Sequence, residues 1–147
     1  MIKVAICDDD IQFIYKLEQS IFRFAEMKRI KVDVDGYTSG AEFIQKLQQS
    51  ERYDLLFLDI ELGDSSGIIV GNWIRSQIQY ESMQIVFVSA KEMYAMQLFD
   101  LRPMNFLVKP IQQERVDYIL DEYERLYQFQ PHIIEIGKGR NAIRIEE

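Results

Sequence analysis

The sequence places side chains that can do chemistry at the ends of several apolar runs. Asp8 and Asp9 follow one run, Asp59 follows another, and Ser89 and Lys109 follow two later runs. Together they offer three carboxylates, a hydroxyl and an ammonium group. Such a set contains a nucleophile and the charges needed to handle a phosphoryl group.

These side chains can act together only if the apolar runs end at one place. Parallel strands of one sheet meet this condition, because ligands bind at the carboxyl ends of such strands. Three neighbouring carboxylates would raise some of their own pKa values unless a cation lay among them. Their hard oxygen atoms suit Mg²⁺, and Lys109 is a compact positive charge suited to phosphate. The pattern therefore predicts that Asp59 accepts a phosphoryl group.

Five strands are predicted to carry these residues. Three are continuous apolar runs, one is short, and one alternates charged and apolar residues. In chain order the predicted strands are Lys3 to Cys7, Lys31 to Tyr37, Leu55 to Leu58, Ile85 to Val88 and Phe106 to Val108.

Helices are predicted between the strands because apolar residues there recur every three or four positions. Asp10 and Ser39 are the predicted N-caps of the first two helices. A fourth helical stretch, from Met93 to Phe99, is apolar on all sides, and a fifth helix follows Lys109. The apolar positions that mark the third helix are Ile69, Val70, Trp73, Ile74 and Ile78.

Five strands that alternate with five helices predict a parallel α/β sheet covered on both faces. The continuous apolar runs favour central positions, whereas the alternating strand from Lys31 to Tyr37 favours an edge. With right-handed connections, the strand order 2-1-3-4-5 satisfies these preferences. The pattern alone leaves other orders open.

Composition narrows the class of protein. The chain has 147 residues, enough for one domain, and a net charge of -7, which argues against direct binding of nucleic acid. No apolar run approaches the ~20 residues of a membrane span, and the opening residues predict a strand rather than a signal peptide. One cysteine, Cys7, fits a reducing cytoplasm. We therefore expect a cytoplasmic protein without a membrane anchor.

In this order and spacing, the motifs resemble a receiver domain of two-component response regulators. The resemblance covers about residues 1–130 and implies a flavodoxin-like (βα)5 fold in three layers. Gly67 also stands where this family has a loop glycine. The motifs that carry the resemblance are Asp8-Asp9, Asp59, Ser89-Ala90 and Lys109-Pro110.

The resemblance implies a role for each site residue. Asp59 would be the phosphorylated residue and, with Asp9, a direct Mg²⁺ ligand. The backbone carbonyl of Glu61 would be a third ligand, and Asp8 would act through a bound water. Such a protein catalyses only its own phosphorylation and dephosphorylation and is not otherwise an enzyme.

The remaining implied roles concern the switch. Ser89 and Lys109 would each contact a phosphoryl oxygen, and the Lys109-Pro110 peptide bond would be cis. Phe106 takes the place of an aromatic residue whose rotamer follows Ser89. The sequence departs from the family at two positions: Gly63 replaces a usual proline, and Phe106 replaces the commoner tyrosine.

The residues of several motifs resemble those of receivers in the LytTR class, of AgrA, LytR and AlgR type. Residues 7–10, 57–62 and 102–111 carry this likeness. Residues 131–147 alternate apolar and polar positions around Gly137 and Gly139, which predicts a hairpin-like tail. We interpret 131–147 as a linker and the truncated start of a LytTR-type DNA-binding domain.

The same resemblance implies partners. A sensor histidine kinase would donate the phosphoryl group, and contact with DNA would occur only through the missing C-terminal domain. Homodimers would form through the face between the fourth and fifth helices. The apolar residues of the fourth stretch support this expectation, since they cannot all face the sheet and a patch should remain exposed.

Three other functions remained as alternatives. One is a receiver-like interaction module that works without phosphorylation. Another is a phosphatase that forms an aspartyl-phosphate, with Glu61 as its acid and base. The third is a flavin carrier of the same topology, which Asp8, Asp9 and Asp10 disfavour because they would repel the flavin phosphate.

Overall fold

The computed structural model describes residues 1–128, in which five strands form one parallel sheet. Their order across the sheet is β2-β1-β3-β4-β5, which confirms the predicted topology. The predicted hairpin at residues 131–147 and the domain boundary at 130 lie outside the described residues. The strands are β1 (Ile2–Cys7), β2 (Val32–Tyr37), β3 (Leu55–Asp59), β4 (Gln84–Ser89) and β5 (Asn105–Val108).

Helical segments fill the connections between strands. As predicted, Asp10 and Ser39 cap the first two helices: the Asp10 carboxylate accepts the N–H of Gln12 at 3.0 Å, and the Ser39 hydroxyl accepts the N–H of Glu42 at 3.1 Å. The segments are α1 (Ile11–Lys28), α2 (Gly40–Gln48), α3 (Gly67–Arg75), a 3₁₀ turn (Ile78–Tyr80), the 3₁₀ segment (Glu92–Leu101), α4 (Gln113–Tyr123) and a π-type turn (Glu124–Gln128).

Two hydrophobic cores make the fold a three-layer sandwich. Successive strand residues point to opposite faces of the sheet, so each strand contributes to both cores. One core lies between the sheet and the pair α1 and α4. The other lies between the sheet and α2, α3 and the 3₁₀ segment. In β3, for example, Phe57 belongs to the first core and Leu58 to the second.

The strand β2 is at an edge of the sheet, as its alternating sequence predicted. It pairs only with β1. Val32 and Val34 pack against the core on the α1 side, whereas Asp33 is exposed to solvent. The continuous apolar strands β1, β3 and β4 occupy the three central positions.

The third helix is shorter than its apolar spacing predicted. α3 ends at Arg75, and Ile78 lies beyond it in a 3₁₀ turn with 82% of its surface exposed. The chain leaves the helix because Gln77 adopts an extended conformation. Ile78 therefore contributes nothing to the core, and its place in the predicted helical stripe is wrong.

The fourth helical stretch has 3₁₀ geometry over its ten residues, from Glu92 to Leu101. With three residues per turn, residues three apart lie in one row. Met93, Met96 and Phe99 form such a row and are 72%, 87% and 83% exposed. The next row holds Leu98 and Leu101, which are buried. The predicted exposed apolar patch is therefore present.

The guanidinium of Arg75 fastens the far end of the 3₁₀ segment to the rest of the domain. It donates to the carbonyls of Leu101 and Met83, both at 2.8 Å, and to that of Arg102 at 3.2 Å. These bonds join α3 to the residue just before β4 and to the end of the 3₁₀ segment. None of the helices in residues 1–128 has the length and apolar character to cross a membrane.

Candidate functional site

Three carboxylates meet where β1 and β3 end. Asp8, Asp9 and Asp59 each offer an oxygen atom, and these oxygens all lie within 4.8 Å of one another. Asp8 and Asp59 are buried, and Asp9 is exposed. The three residues come together because β1 and β3 are neighbouring parallel strands, with Cys7 opposite Leu58 in the register. The predicted acidic cluster is confirmed.

Backbone hydrogen bonds orient the two buried carboxylates. One oxygen of Asp8 accepts the N–H of Asp10 at 2.8 Å, where the chain turns into α1. One oxygen of Asp59 accepts the N–H of Glu61 at 3.2 Å. Each of these carboxylates therefore has one oxygen engaged by its own loop. The other oxygen of each faces Lys109.

Lys109 brings a positive charge into the cluster from the end of β5. Its Nζ atom lies 2.8 Å from Oδ2 of Asp8 and 3.7 Å from Oδ2 of Asp59. The same ammonium lies 4.2 Å from the centre of the Phe13 ring in α1. Its backbone N–H donates to the carbonyl of Ser89 at 2.8 Å, and the Lys109-Pro110 peptide is cis, as predicted.

Ser89 ends β4 beside this cluster and is completely buried. Its hydroxyl oxygen accepts the N–H of Lys91 at 3.0 Å. That bond turns the chain away from the sheet directly after the strand, so the hydroxyl stays at the strand end. The structure thus brings Lys109 into contact with Asp8 and Asp59, places Asp9 in the same acidic cluster, and puts Ser89 at the end of the adjacent strand.

Burial and charge shift the pKa values of the two central groups. Burial raises the pKa of Asp59 from 3.8 to about 6, and the negative charge of Asp8 adds to the rise, against the opposing charge of Lys109. Burial alone would lower the pKa of Lys109. Its hydrogen bond to Asp8 and the charge of Asp59 outweigh burial, so the Lys109 pKa is raised. Lys109 is therefore a permanent cation at neutral pH.

The donor set of the cluster fits Mg²⁺. Carboxylate oxygens are the ligands this ion uses in proteins, and the three carboxylates outnumber the single ammonium of Lys109. The negative charge of Asp8 adds to the rise that burial causes in the Asp59 pKa, and a divalent cation would relieve this excess negative charge. Glu61, the fourth predicted ligand, has its backbone beside Asp59 through the hydrogen bond described above. Its carbonyl as a ligand stays a prediction.

One ion pair of the site was absent from the sequence prediction. Lys91 Nζ lies 3.0 Å from a carboxylate oxygen of Glu61. Glu61 stands two residues after Asp59, and Lys91 two residues after Ser89, on neighbouring strands. The equal offset places both residues just beyond neighbouring strand ends, but it does not by itself determine that their side chains meet.

The loop after β3 is fastened at both ends. The Asp64 carboxylate accepts the N–H groups of Gly40 and Ala41, each at 3.2 Å, and so holds the loop against the start of α2. At its far end, Gly67 donates to the carbonyl of Ile60 at 2.7 Å. A Cβ atom at position 67 would overlap the carbonyl oxygen of Asp59. Only glycine fits there without a backbone shift.

Two residues near the site belong to the core. Phe106 lies in β5 opposite Phe87 and packs, partly buried, against the core under α2 and α3. Its predicted role as a switch stays a prediction. Cys7 is completely buried, and burial raises the pKa of its thiol far above the ordinary range. This thiol has the environment of an unreactive core residue.

Comparison with known proteins identifies one family. The family described as the response regulator receiver domain matches residues 4–121. Two similar curated proteins are sensory transduction proteins. LytT of Bacillus cereus is 30% identical over 131 residues, which are 88% of this chain and 50% of LytT. LytR of Streptococcus agalactiae is 30% identical over 126 residues, 86% of this chain and 49% of LytR.

Solved structures agree with the fold. The response regulatory domain of MrkE from Klebsiella pneumoniae superposes with a TM-score of 0.73 at 24% sequence identity. That match covers 87% of this chain and 99% of the MrkE domain. In contrast, the chain spans only about half the length of the two sensory transduction proteins.

Proposed function

Since the chain belongs to the response regulator receiver domain family, we propose that Asp59 is its phosphoacceptor and that phosphorylation controls its output. The observation that carries this proposal is the position of Asp59. It is buried beside Asp8 and Asp9, with Lys109 Nζ 3.7 Å from one of its oxygens. A nucleophile, excess negative charge for a metal and a lysine ammonium are therefore available within one site.

In the proposed reaction, a carboxylate oxygen of Asp59 attacks the phosphorus atom of a phosphorylated histidine. A P–O bond forms, the P–N bond breaks, and the electron pair stays with the imidazole, which takes up a proton. Lys109 can move from Asp8 toward a phosphoryl oxygen and neutralise part of its charge. The Ser89 hydroxyl, which now accepts from Lys91, can donate its own hydrogen to another phosphoryl oxygen.

We propose Mg²⁺ as the cofactor, held by Asp9 and Asp59, by the Glu61 carbonyl, and by Asp8 through a water. When bound, it would neutralise charge on the phosphoryl oxygens during transfer. The protein contributes the remaining conditions. It buries Asp8 and Asp59 and raises the pKa of Asp59 to about 6. That value leaves the Asp59 carboxylate mostly ionised, and so nucleophilic, at neutral pH.

Modification of Asp59 can be tested directly. Incubation with acetyl phosphate and Mg²⁺ should add one phosphoryl group to the wild-type chain, as measured by intact-protein mass spectrometry. The Asp59→Asn variant should gain none, because an amide is not a nucleophile toward phosphorus. Asp100→Asn is a matched control, since Asp100 is exposed on the 3₁₀ segment, and it should react like the wild type. Equal modification of Asp59→Asn would refute the proposal.

The phosphatase alternative is less well supported by the geometry. That chemistry needs the residue two positions after the nucleophile to give and take a proton. Here the Glu61 carboxylate is already paired with the Lys91 ammonium at 3.0 Å, so it would have to leave this ion pair to exchange a proton with a substrate. The domain is therefore better suited to keep a phosphoryl group as a signal than to turn over a substrate.

We also propose that the chain belongs to a longer protein, since it spans about half the length of LytT and LytR. Residues 1–130 would form the receiver domain, and 131–147 would begin the connection to a LytTR-type DNA-binding domain. A sensor histidine kinase would be the phosphoryl donor, and the exchange would take place in the cytoplasm. LytT and LytR, about twice as long as this chain, are consistent with such an additional domain.

We further propose that phosphorylation promotes homodimers through the face between the 3₁₀ segment and α4. Met93, Met96 and Phe99 form the exposed row of the 3₁₀ segment. In gel filtration, beryllofluoride with Mg²⁺ should shift the wild type to a dimer and leave Met96→Glu monomeric. Met27→Glu, an equally apolar exposed site on α1, should still form the dimer. A dimer of Met96→Glu would exclude this face.

A further inference from the structure

We infer that Phe13 is a positioning residue for Lys109 and thereby sets the rate at which Asp59 is phosphorylated. This inference rests on the proposed function of Asp59. The geometry that carries it is the approach of the Lys109 ammonium to 4.2 Å from the centre of the Phe13 ring. A cation at this distance from an aromatic ring is attracted by the electron-rich face.

Three groups in the described part of the chain make close contacts with the Lys109 ammonium, and the charge of Asp10 acts on it as well. Two are the carboxylates of Asp8 and Asp59, at 2.8 and 3.7 Å. The third is the Phe13 ring. With the carboxylates alone, the position of the ammonium would shift with the charges that Asp8 and Asp59 carry. The ring adds a contact that does not change when Asp59 is protonated, metal-bound or phosphorylated.

Phe13 is itself fixed. Its backbone N–H donates to the Asp10 carboxylate at 3.3 Å in the first turn of α1, and its side chain packs against the core on that face. The ring therefore belongs to the rigid part of the domain. Lys109, in contrast, is a long side chain on the segment that follows β5. A flexible cation contacts a fixed ring, so the ring determines where the cation lies.

A neighbouring cleft offers the Lys109 side chain an alternative position. Phe13 and Lys109 both line a cleft of about 540 Å³ between α1 and the segment at Pro110 and Ile111. Without an aromatic face beside it, the ammonium can extend into this cleft and be hydrated there. Each departure would remove the positive charge from the phosphoryl group at the moment of transfer. The ring thus retains Lys109 at the site.

The test compares Phe13→Leu with the wild type. Leucine keeps an apolar side chain at this position but has no aromatic face. With Mg²⁺ and acetyl phosphate both saturating, we expect the maximal rate of phosphorylation to fall about fivefold, as for the loss of a partly buried cation–π contact. The concentration of acetyl phosphate that gives half-maximal rate should change little. Phe13→Tyr restores an aromatic face and should restore the rate.

A second readout requires no phosphorylation. The ring current of Phe13 should move the ε-methylene proton resonances of Lys109 upfield in the wild type and in Phe13→Tyr. Those resonances should return to ordinary lysine positions in Phe13→Leu. Phe22→Leu, on the same helix and 40% exposed, is the matched control and should change neither the rate nor the Lys109 resonances.

The outcomes separate this inference from the proposed function. If the wild type accepts no phosphoryl group, the proposed function fails, and the Lys109 resonances still decide whether Phe13 holds the ammonium. If the wild type is phosphorylated and Phe13→Leu reacts at the same rate or faster, the inference is overturned. It is also overturned if Phe13→Tyr is as slow as Phe13→Leu, since the ring would then not be the cause.

Discussion

The Asp59→Asn variant is expected to be more stable than the wild type by about 3 kcal/mol at pH 7.5 without Mg²⁺. Its carboxyl has a pKa of about 6 in the folded protein against 3.8 ordinarily, and each pKa unit corresponds to about 1.36 kcal/mol. Ionised Asp59 therefore destabilises the fold. The amide oxygen introduced at position 59 can still accept the Glu61 N–H. Lys109 also retains its ion pair with Asp8 at 2.8 Å.

The pH dependence has a defined sign. Between pH 3.8 and about 6, the folded state binds the Asp59 proton more tightly than the unfolded state, so the stability of the wild type falls as pH rises through this range. The contribution of protonated Asp59 to the free energy of unfolding is fully present below pH 3.8 and is lost above about pH 6. The difference between Asp59→Asn and the wild type should therefore be small near pH 4 and largest above pH 7.

Urea unfolding at several pH values in the presence of a chelator measures this difference. Asp100→Asn removes the same charge from an exposed position and should change the free energy of unfolding by no more than about 0.5 kcal/mol. Adding Mg²⁺ should stabilise the wild type more than Asp59→Asn, because the variant lacks one carboxylate ligand. Equal stabilities of Asp59→Asn and the wild type at pH 7.5 would show that the ionised carboxylate does not destabilise the folded protein.

The central part of the fold was predictable because burial dictates residue type. Strands covered on both faces must be apolar throughout, so β1, β3 and β4 were identifiable as continuous runs. The edge strand β2 was identifiable by its alternation. Since the site forms where parallel strands end, correct strand order was enough to bring Asp8 and Asp59 together.

Contacts made by side chains across the site were less predictable. Nothing in the residue pattern singled out Phe13, because its contact with Lys109 depends on where α1 lies relative to the end of β5. The ion pair of Glu61 and Lys91 depends likewise on two loop conformations. Residue spacing determines secondary structure and strand order, but it does not determine how two separate loops approach each other.

The geometry of the 3₁₀ segment illustrates a third limit. Its residues are apolar on all sides, so a period of 3.6 could not be told from a period of 3.0. The two rows that the structure shows, Met93, Met96 and Phe99 outside and Leu98 and Leu101 inside, both have a spacing of three. A spacing of three fits the sequence no better than a spacing of 3.6, and which row is buried depends on packing against α3.

The Gly67→Ala variant should lose about 3 kcal/mol of stability and most of its phosphorylation at Asp59. A methyl group at position 67 would overlap the Asp59 carbonyl oxygen and lie 2.8 Å from Cα of Ile60. Overpacking of this kind typically destabilises by about 1 to 3 kcal/mol, and the upper end is expected here because the obstructing atoms are backbone. Relief requires β3 to move at the residue that carries the nucleophile. Urea unfolding and the acetyl phosphate reaction measure the two effects.

Gly63→Ala is the matched control, since it adds the same methyl group to the same loop. The nearest atom to a Cβ at position 63 is a carboxylate oxygen of Asp9 at 3.2 Å, and that side chain is exposed and can turn aside. Its stability should stay within about 1 kcal/mol of the wild type. If both alanine variants were equally stable and equally reactive, the close approach of Gly67 to Asp59 would have no part in shaping the site. A large loss in Gly67→Ala alone would show that the loop glycine fixes the position of the phosphoacceptor through the backbone.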